Sequence, residues 1–212
     1  MISPINCKTA ILDYGLGNPE SVKNMLKKMG LQSRITGNPE EIADAGSIII
    51  PGVGHFGRAM ELLHNNGWLD ILEHKVIKEK IPVLGICLGM QLFFEHSEEG
   101  DVKGLGWIPG NVVKFKKIKD NLKIPHMGWT NVNSAGSSVL FKDDEEPLRY
   151  YFVHSYHVEC KSATHEIASA MHGYSFTCAV QKDNITGVQF HPEKSHVYGQ
   201  RFLKRYFDSL TH

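Results

Sequence analysis

The first half of the chain alternates short apolar runs with segments of helical periodicity. Residues 9–13 form an apolar run typical of a strand, and Asn18-Pro19 then provides an N-cap followed by proline at the first helical position. Apolar residues continue at the i, i+3, i+4, i+7 spacing of a helix up to Gly30, namely Val22, Met25, Leu26 and Met29. This pattern predicts a strand followed by an amphipathic helix.

The same alternation continues to the middle of the chain. It predicts a strand at 31–36, a short helix at 39–45, an interior strand at 47–50 that ends at Pro51, a helical region at 58–80 and a strand at 81–84. Strands that alternate with helices favour a parallel sheet with helices on both faces.

The second half is rich in strand-forming residues. Apolar and β-branched runs are separated by Gly, Asn and Asp turns, and they lie at 111–116, 129–133, 150–159, 167–171, 177–181 and 186–190. Helical spacing returns only at 199–210. We therefore predict an α/β fold with a mixed, largely parallel central sheet flanked by helices and an added antiparallel sheet, in one domain over residues 1–212.

Composition narrows the possible partners and the compartment. The chain has 23 Lys and Arg residues and 23 Asp and Glu residues, so its formal net charge is zero. A neutral protein has no long-range electrostatic attraction to nucleic acid or to an anionic membrane. The four cysteines give neither a Cys-x-x-Cys pair nor a disulfide framework. The N-terminus lacks the pattern of a secretory signal, and the longest nearly apolar stretch, 81–94, is interrupted and too short for a bilayer. We expect a soluble, cytoplasmic protein.

Cys87 is the first candidate for chemistry. It lies at the centre of Gly85-Ile86-Cys87-Leu88-Gly89, after a predicted strand and before the helix-like stretch 90–95. A glycine two residues to either side removes Cβ atoms that would clash in a sharp strand-to-helix turn. The adjacent helix N-terminus favours a thiolate. The alternative is a buried structural cysteine in an ordinary turn.

His191 and Glu193 supply the second half of a catalytic pattern. On an extended backbone, residues i and i+2 point to the same side, so the carboxylate of Glu193 can hold the imidazole of His191. A thiol, a base and a group that orients the base are what an activated cysteine nucleophile requires. Alone, His-Pro-Glu is more typical of a charged turn at a strand end, but together with Cys87 the catalytic interpretation is favoured.

Two further motifs do not indicate a cofactor site or a metal site. Residues 52–57 match Gly-x-Gly-x-x-Gly but follow the third predicted strand, which argues against a nicotinamide or flavin site. His154 and His157 lie three apart on a predicted strand and should point to opposite faces, while Pro192 excludes a His-Glu-x-x-His helix. We expect no cofactor and no metal.

Gly-Ile-Cys-Leu-Gly-Met-Gln together with Phe-His-Pro-Glu resembles the class I glutamine amidotransferases, whose glutaminase domain uses a Cys-His-Glu triad. The resemblance covers the chain from the first strand to the last helix and implies a flavodoxin-like fold. It is strengthened by the motifs Pro-Gly-Val-Gly-His-Phe at 51–56, Pro-His-Met-Gly-Trp at 125–129, Tyr-Phe-Val-His-Ser-Tyr at 151–156 and Pro-Glu-Lys-Ser at 192–195.

The resemblance also implies residue roles. Cys87 would attack the glutamine carboxamide, His191 would act as acid and base, and Glu193 would orient His191. The oxyanion would be held by the amide of Leu88 and by an amide of the loop formed by Gly52 and Val53. Gly54, Gln91, Ser155 and Tyr156 match positions that contact L-glutamine in this family.

A partner chain follows from the same resemblance, because free ammonia is protonated in water. The motifs resemble a group of glutaminase subunits that deliver ammonia to a (β/α)8-barrel cyclase in histidine biosynthesis, with Trp129 and Lys194 at the interface. The isolated subunit would be nearly inactive. Three alternatives remain: a related glutaminase that supplies ammonia for sugar amidation in surface-polysaccharide synthesis, a stand-alone cysteine hydrolase, and a non-catalytic scaffold.

Overall fold

The computed structural model describes residues 9–116, 122–135, 138–142 and 148–210. The expectation about the N-terminal segment 1–8 lies outside these residues. The first half contains strands β1 (Thr9–Leu12), β2 (Ser33–Thr36), β3 (Ser47–Gly52) and β4 (Val83–Cys87) and helices α1 (Pro19–Lys28), α2 (Phe56–Asn65), α3 (Trp68–Leu72) and α4 (Leu88–Gln91). A 3-10 turn, Pro39–Ile42, follows β2, and a π-helical segment, Glu73–Lys78, follows α3.

The predicted parallel core is confirmed. Strands β2, β1, β3 and β4 are adjacent in that order, and each neighbouring pair is parallel. The side chain of Asn18 accepts from the amide of Ser21 and caps α1, with proline at its first position as predicted. Helix α1 packs on one face of the sheet, whereas α2 and α3 pack on the other.

The second half adds strands and the last helix. They are β5 (Phe94–Ser97), β6 (Val102–Lys103), β7 (Ile108–Lys114), β8 (His126–Ser134), β9 (Arg149–His154), β10 (Tyr156–Cys160), β11 (Glu166–His172), β12 (Tyr174–Lys182), β13 (Ile185–Val188) and α5 (His196–Ser209). Strand β13 is parallel to β4, which joins the second half to the core, and most other new pairs are antiparallel. The added antiparallel part is therefore confirmed.

Four predicted elements differ from the structure. The helical region 58–80 is divided at Gly67, which adopts φ 74° and is the N-cap of α3. The stretch 90–95 is not one helix, because α4 ends at Gln91 and the fully buried Phe94 begins β5. The last helix begins at His196, three residues earlier than predicted.

The fourth difference matters for the site. The run 150–159 was predicted as one strand, but β9 ends at His154 and β10 begins at Tyr156. Strand β9 pairs with β8, whereas β10 pairs with β7 and β12. The chain changes partners at Ser155, so this residue lies at a bend between the main sheet and the β8–β9 hairpin. Within the described ranges, every helix is too short or too polar to cross a membrane.

Candidate active site

Cys87 occupies a strained turn at the end of β4. Its φ of 55° and ψ of −109° are rare for a residue with a side chain, and α4 begins at the next residue. A Cβ atom on Gly89 would lie 1.8 Å from the carbonyl oxygen of Ile50, and one on Gly85 would lie 2.6 Å from the amide of Met90. The two glycines are thus required by close backbone contacts, as the sequence predicted.

His191 and Glu193 form a buried pair beside this turn. The ring Nδ1 of His191 lies 2.7 Å from Oε1 of Glu193, and the two side chains are 1% and 5% exposed. Burial opposes a charge on His191, but the charge of Cys87 and the bonded carboxylate of Glu193 outweigh it and raise the pKa of His191 to about 10. The imidazole of His191 is therefore in its doubly protonated, positively charged form at neutral pH.

The other ring nitrogen of His191 is on the side of Cys87. Its Nε2 is buried and makes no hydrogen bond of regular geometry among the described residues, but a side-chain interaction with Cys87 contributes to the raised pKa of the ring. Ser195 fixes the backbone, since its hydroxyl donates to the carbonyl of His191 across 2.6 Å and accepts from the amide of Tyr151 across 3.0 Å. The resulting arrangement has one ring nitrogen held by a carboxylate and the other available to a reacting group.

Gln189 is a residue at this site that the sequence did not reveal. It is fully buried, and its Nε2 donates to the sulfur of Cys87 across 3.5 Å. Its Oε1 accepts from Nε2 of Gln91 across 3.0 Å, and the same nitrogen of Gln91 donates to the carbonyl of Tyr156 across 3.0 Å. The sulfur of Cys87 thus faces a fixed amide donor, and its thiol makes a long hydrogen bond of 3.9 Å to the carbonyl of Val153.

A pocket of about 250 Å³ opens above Cys87. Its lining includes six further residues that the sequence analysis selected, namely Val53, Gly54, Leu88, Gln91, Ser155 and Tyr156. Gly52 does not line the pocket, but it pairs in register with Cys87 across β3 and β4. Substrate bound in this pocket would contact the thiol and the loop that follows β3.

Gly52 packs tightly under the turn at Cys87. A Cβ atom there would lie 2.8 Å from both the Cβ of Leu88 and the hydroxyl of Tyr14. That hydroxyl is buried without a hydrogen-bond partner in the described part of the chain, and burial together with the charge of Cys87 raises the pKa of Tyr14 above its usual range. The glycine keeps the loop close to the first residue of α4.

Glu99 is a second lining residue that the sequence did not reveal. Its Oε2 accepts from the amide of Phe56 across 2.8 Å at the first residue of α2. Burial first, and then the charge of Glu99, raises the pKa of the Tyr156 hydroxyl. In the sequence, Glu99 is part of a charged Glu98-Glu99-Gly100 turn, and it belongs to no motif that includes Cys87. Among the described lining residues, Glu99 is the one that brings a carboxylate to the pocket.

The two predicted interface residues lie outside the pocket on a common surface. The Trp129 ring is half-buried and stacks on His196 at 5.6 Å with planes 4° apart. Nζ of Lys194 lies 6.0 Å from the Tyr151 ring, and Met127 is 62% exposed. We call this surface, made of Met127, Trp129, Tyr151, Lys194 and His196, the docking face.

His154 and His157 do not point to opposite faces of one strand, as the sequence analysis expected. The strand ends at His154 and the next begins at Tyr156, so both rings pack against Phe115, at centroid distances of 5.2 Å and 4.7 Å. Across the described ranges there is no group of three or more His, Cys, Asp or Glu residues that could hold a metal ion.

Comparison with known proteins identifies the family. Residues 10–210 match the family described as Glutamine amidotransferase class-I. The imidazole glycerol phosphate synthase subunit HisH of Bdellovibrio bacteriovorus is 46% identical over 92% of this chain and 97% of its own length. HisH 2 of Methanococcus maripaludis is 48% identical over 93% of this chain and 97% of its own length.

Solved structures show the same fold. PurLQS from Thermotoga maritima superposes with a TM-score of 0.74 at 15% identity, covering 96% of this chain and 98% of that one. A glutamine amidotransferase superposes with a TM-score of 0.73 at 18% identity, covering 95% and 97% of the two chains. The chain belongs to the class I glutamine amidotransferases and, within them, to the HisH subunits of imidazole glycerol phosphate synthase.

Proposed function

We propose that this chain, acting as a single domain over residues 1–212, hydrolyses L-glutamine through Cys87, His191 and Glu193. The observation that carries the proposal is the buried pair of His191 and Glu193 beside a cysteine held on a strained turn. A protonated imidazole next to the thiol favours a thiolate and imidazolium pair, which is the reactive form of a cysteine nucleophile.

The reaction proceeds through a thioester. The thiolate of Cys87 attacks the carboxamide carbon, and the oxyanion is held by the amide of Leu88, the first residue of α4, and by an amide of the Gly52-Val53 loop. His191 gives its proton to the departing nitrogen, which leaves as ammonia. The neutral imidazole then accepts a proton from water, and hydroxide attack on the thioester releases glutamate. Glu193 keeps the imidazole oriented in both steps.

The pocket favours a free amino acid as substrate. Glutamine carries an α-ammonium group, and the carboxylate of Glu99 is suited to bind it. The Oε1 of Gln91 has no partner among the described residues, and it can accept a second hydrogen bond from the substrate. Ser155 and Tyr156 close the pocket on the side of the bend. A pocket of this volume with one carboxylate does not suit a cysteine hydrolase that cleaves extended peptides.

The proposed partner is a cyclase with a (β/α)8 barrel. Relatives that match over almost their whole length are named as subunits of imidazole glycerol phosphate synthase, which supports a complex with a second subunit. We propose that this complex is a heterodimer in the cytoplasm. In that assembly the cyclase uses the ammonia to form imidazole glycerol phosphate and AICAR. The docking face supports binding, because aromatic rings and an exposed Met are typical of interface cores. We propose that Trp129 and Lys194 contact the cyclase and that binding orients the Gly52-Val53 amide.

Glutamate release tests this proposal. The chain is incubated with glutamine alone and with the cyclase subunit from the same genome, and Cys87→Ser serves as the control. We expect strong release only in the complex with intact Cys87. High turnover by the isolated chain would favour a stand-alone hydrolase, and no turnover in either sample would favour a scaffold. Rescue of a histidine auxotroph would assign the chain to histidine biosynthesis. Glutaminase activity without rescue would instead favour sugar amidation.

A further inference from the structure

A chain of hydrogen bonds connects strand β8 to the bend at Ser155. His126 and His154 lie opposite each other on β8 and β9, and Nδ1 of His126 is 3.0 Å from Nε2 of His154. The Nε2 of His126 lies 2.8 Å from the hydroxyl of Thr130, and Nδ1 of His154 lies 2.7 Å from the carbonyl oxygen of Tyr156. The side chains of His126 and His154 thus link the hydroxyl of Thr130 to the backbone of the pocket.

Both imidazoles in this chain are neutral at physiological pH. Burial, assisted by the charge of His172, lowers the pKa of His126 to about 4. Burial also holds the pKa of His154 well below its usual range, although the bond to Tyr156 opposes this. Each ring therefore carries one N–H and has one nitrogen that can only accept.

The position of each proton follows from the contacts. A carbonyl oxygen can only accept, so Nδ1 of His154 must donate to Tyr156. Nε2 of His154 is then an acceptor, and Nδ1 of His126 must donate to it. Nε2 of His126 is likewise an acceptor, which requires the hydroxyl of Thr130 to donate. The Tyr156 carbonyl thereby sets the tautomers of both histidines, and the Thr130 hydroxyl is the donor that satisfies the last acceptor of the series.

The Tyr156 carbonyl is also the end point of a second series of hydrogen bonds. It accepts from Nε2 of Gln91, which donates as well to Gln189, and Gln189 donates to the sulfur of Cys87. Loss of the bond from His154 would free this carbonyl and the pocket wall that it anchors. The hydrogen bonds from His154 and from Gln91 thus end at the same atom, the carbonyl oxygen of Tyr156.

We propose that Thr130, His126 and His154 are positioning residues that fix the Tyr156 carbonyl and thereby the wall of the glutamine pocket. Thr130 and His126 belong to β8, the strand that also contributes to the docking face. Side chains alternate along a strand: on β8, His126 is buried and contacts the hydroxyl of Thr130, whereas Met127 is exposed and Trp129 lies with it on the docking face. One strand therefore presents the cyclase contact on one side and the positioning chain on the other. This inference rests on the proposed glutaminase function.

The test compares variants of the heterodimer with the cyclase. Thr130→Val removes the donor at similar volume, and we expect the KM for glutamine to rise roughly tenfold, the effect of losing one buried hydrogen bond, while kcat changes less than about twofold. Thr130→Ser keeps the hydroxyl and should restore the KM. Asn places its amide nitrogen near the position of Nδ1, so His154→Asn should retain most affinity, whereas His154→Gln should not.

Two further results separate positioning from simple loss of stability. In the His154→Asn background the chain is already cut, so Thr130→Val should add no further rise in KM; an additive rise would overturn the proposal. NMR of histidine labelled on its ring nitrogens should show the Nδ1–H tautomer for His126 and His154, and Nε2–H at His154 would also overturn it. Equal KM values for Thr130→Val and the wild type would likewise overturn the proposal. Lack of glutamate release by the wild-type complex would instead refute the proposed function.

Discussion

Gln189 donates a hydrogen bond to the sulfur of Cys87 across 3.5 Å, from a position fully shielded from solvent. Cys87 ends β4, and Gln189 directly follows the adjacent parallel strand β13; the two strands pair in register from Val83 with Ile185 to Ile86 with Val188. This pairing brings the C-terminal ends of both strands to one edge of the sheet. The nucleophile, its amide donor and His191 are therefore positioned by the same pair of strands.

Removal of this donor should make the thiol less reactive. Gln189→Met keeps a similar shape and deletes the N–H, and we expect alkylation of Cys87 to slow by about tenfold, since hydrogen bonds to charged groups contribute roughly 1.5–3 kcal/mol. Alkylation by iodoacetamide, followed by peptide mapping, measures the rate at Cys87 alone. Gln181→Met, on the same sheet, serves as the matched control, and equal rates for both variants would show that the contact has no role.

Loss of the orienting carboxylate should impair catalysis with little change in folding. Glu193→Gln keeps the size of the side chain but removes the charge that helps to hold the imidazole. We expect kcat for glutamine to fall about 100-fold or more, the usual contribution of general acid–base catalysis. Steady-state kinetics of the heterodimer measures this, with melting temperature as the control for folding. A variant with wild-type kcat would contradict the assignment of Glu193.

The protonation of His191 should depend on Cys87. The pKa of His191 is raised to about 10 against burial, with the charge of Cys87 the largest favourable cause. NMR titration should show a doubly protonated ring in the wild type at about pH 8, and the Cys87→Ala variant should titrate at lower pH. Identical titration curves would contradict the ion pair.

The same shift predicts how stability varies with pH. Because the folded pKa of His191 lies above the unfolded value, its contribution to the free energy of unfolding is complete below about pH 6.5 and is lost as the pH rises through about 10. Denaturant unfolding of the wild type and of His191→Gln at several pH values measures the difference. The stability gap between the two proteins should narrow as the pH rises, and a gap that widens would contradict this sign.

The catalytic turn should not tolerate side chains at its glycines. Gly89→Ala would place a Cβ atom 1.8 Å from the carbonyl oxygen of Ile50, so β3 and α4 would have to separate. We expect destabilisation above about 4 kcal/mol or failure to fold. Gly30→Ala is the control, since no atom lies within 4 Å and only its φ of 76° is unfavourable, at about 1 kcal/mol. Similar stability of the two variants would contradict this account of the turn.

The sequence predicted the parts of the site that depend on local geometry. The turn at Cys87 followed from two glycines at fixed spacing, and the contact of His191 with Glu193 followed from the two-residue period of extended chain. Gln189 and Glu99 could not be found in this way, because their contacts arise from strand pairing and from a helix that begins more than forty residues earlier in the chain. The break at Ser155 was missed because its flanks are uniformly strand-forming, and only pairing with different neighbours reveals it.

Covalent labelling of Cys87 tests the central claim most directly. The heterodimer is treated with a glutamine analogue that carries an electrophile in place of the carboxamide, and the modified peptide is identified by mass spectrometry. Cys160 and Cys178 serve as internal controls, since burial raises the pKa of both thiols. We predict a single adduct on Cys87 that free glutamine prevents. An adduct on another cysteine, or labelling of Cys87 that glutamine does not slow, would contradict its role as the glutaminase nucleophile.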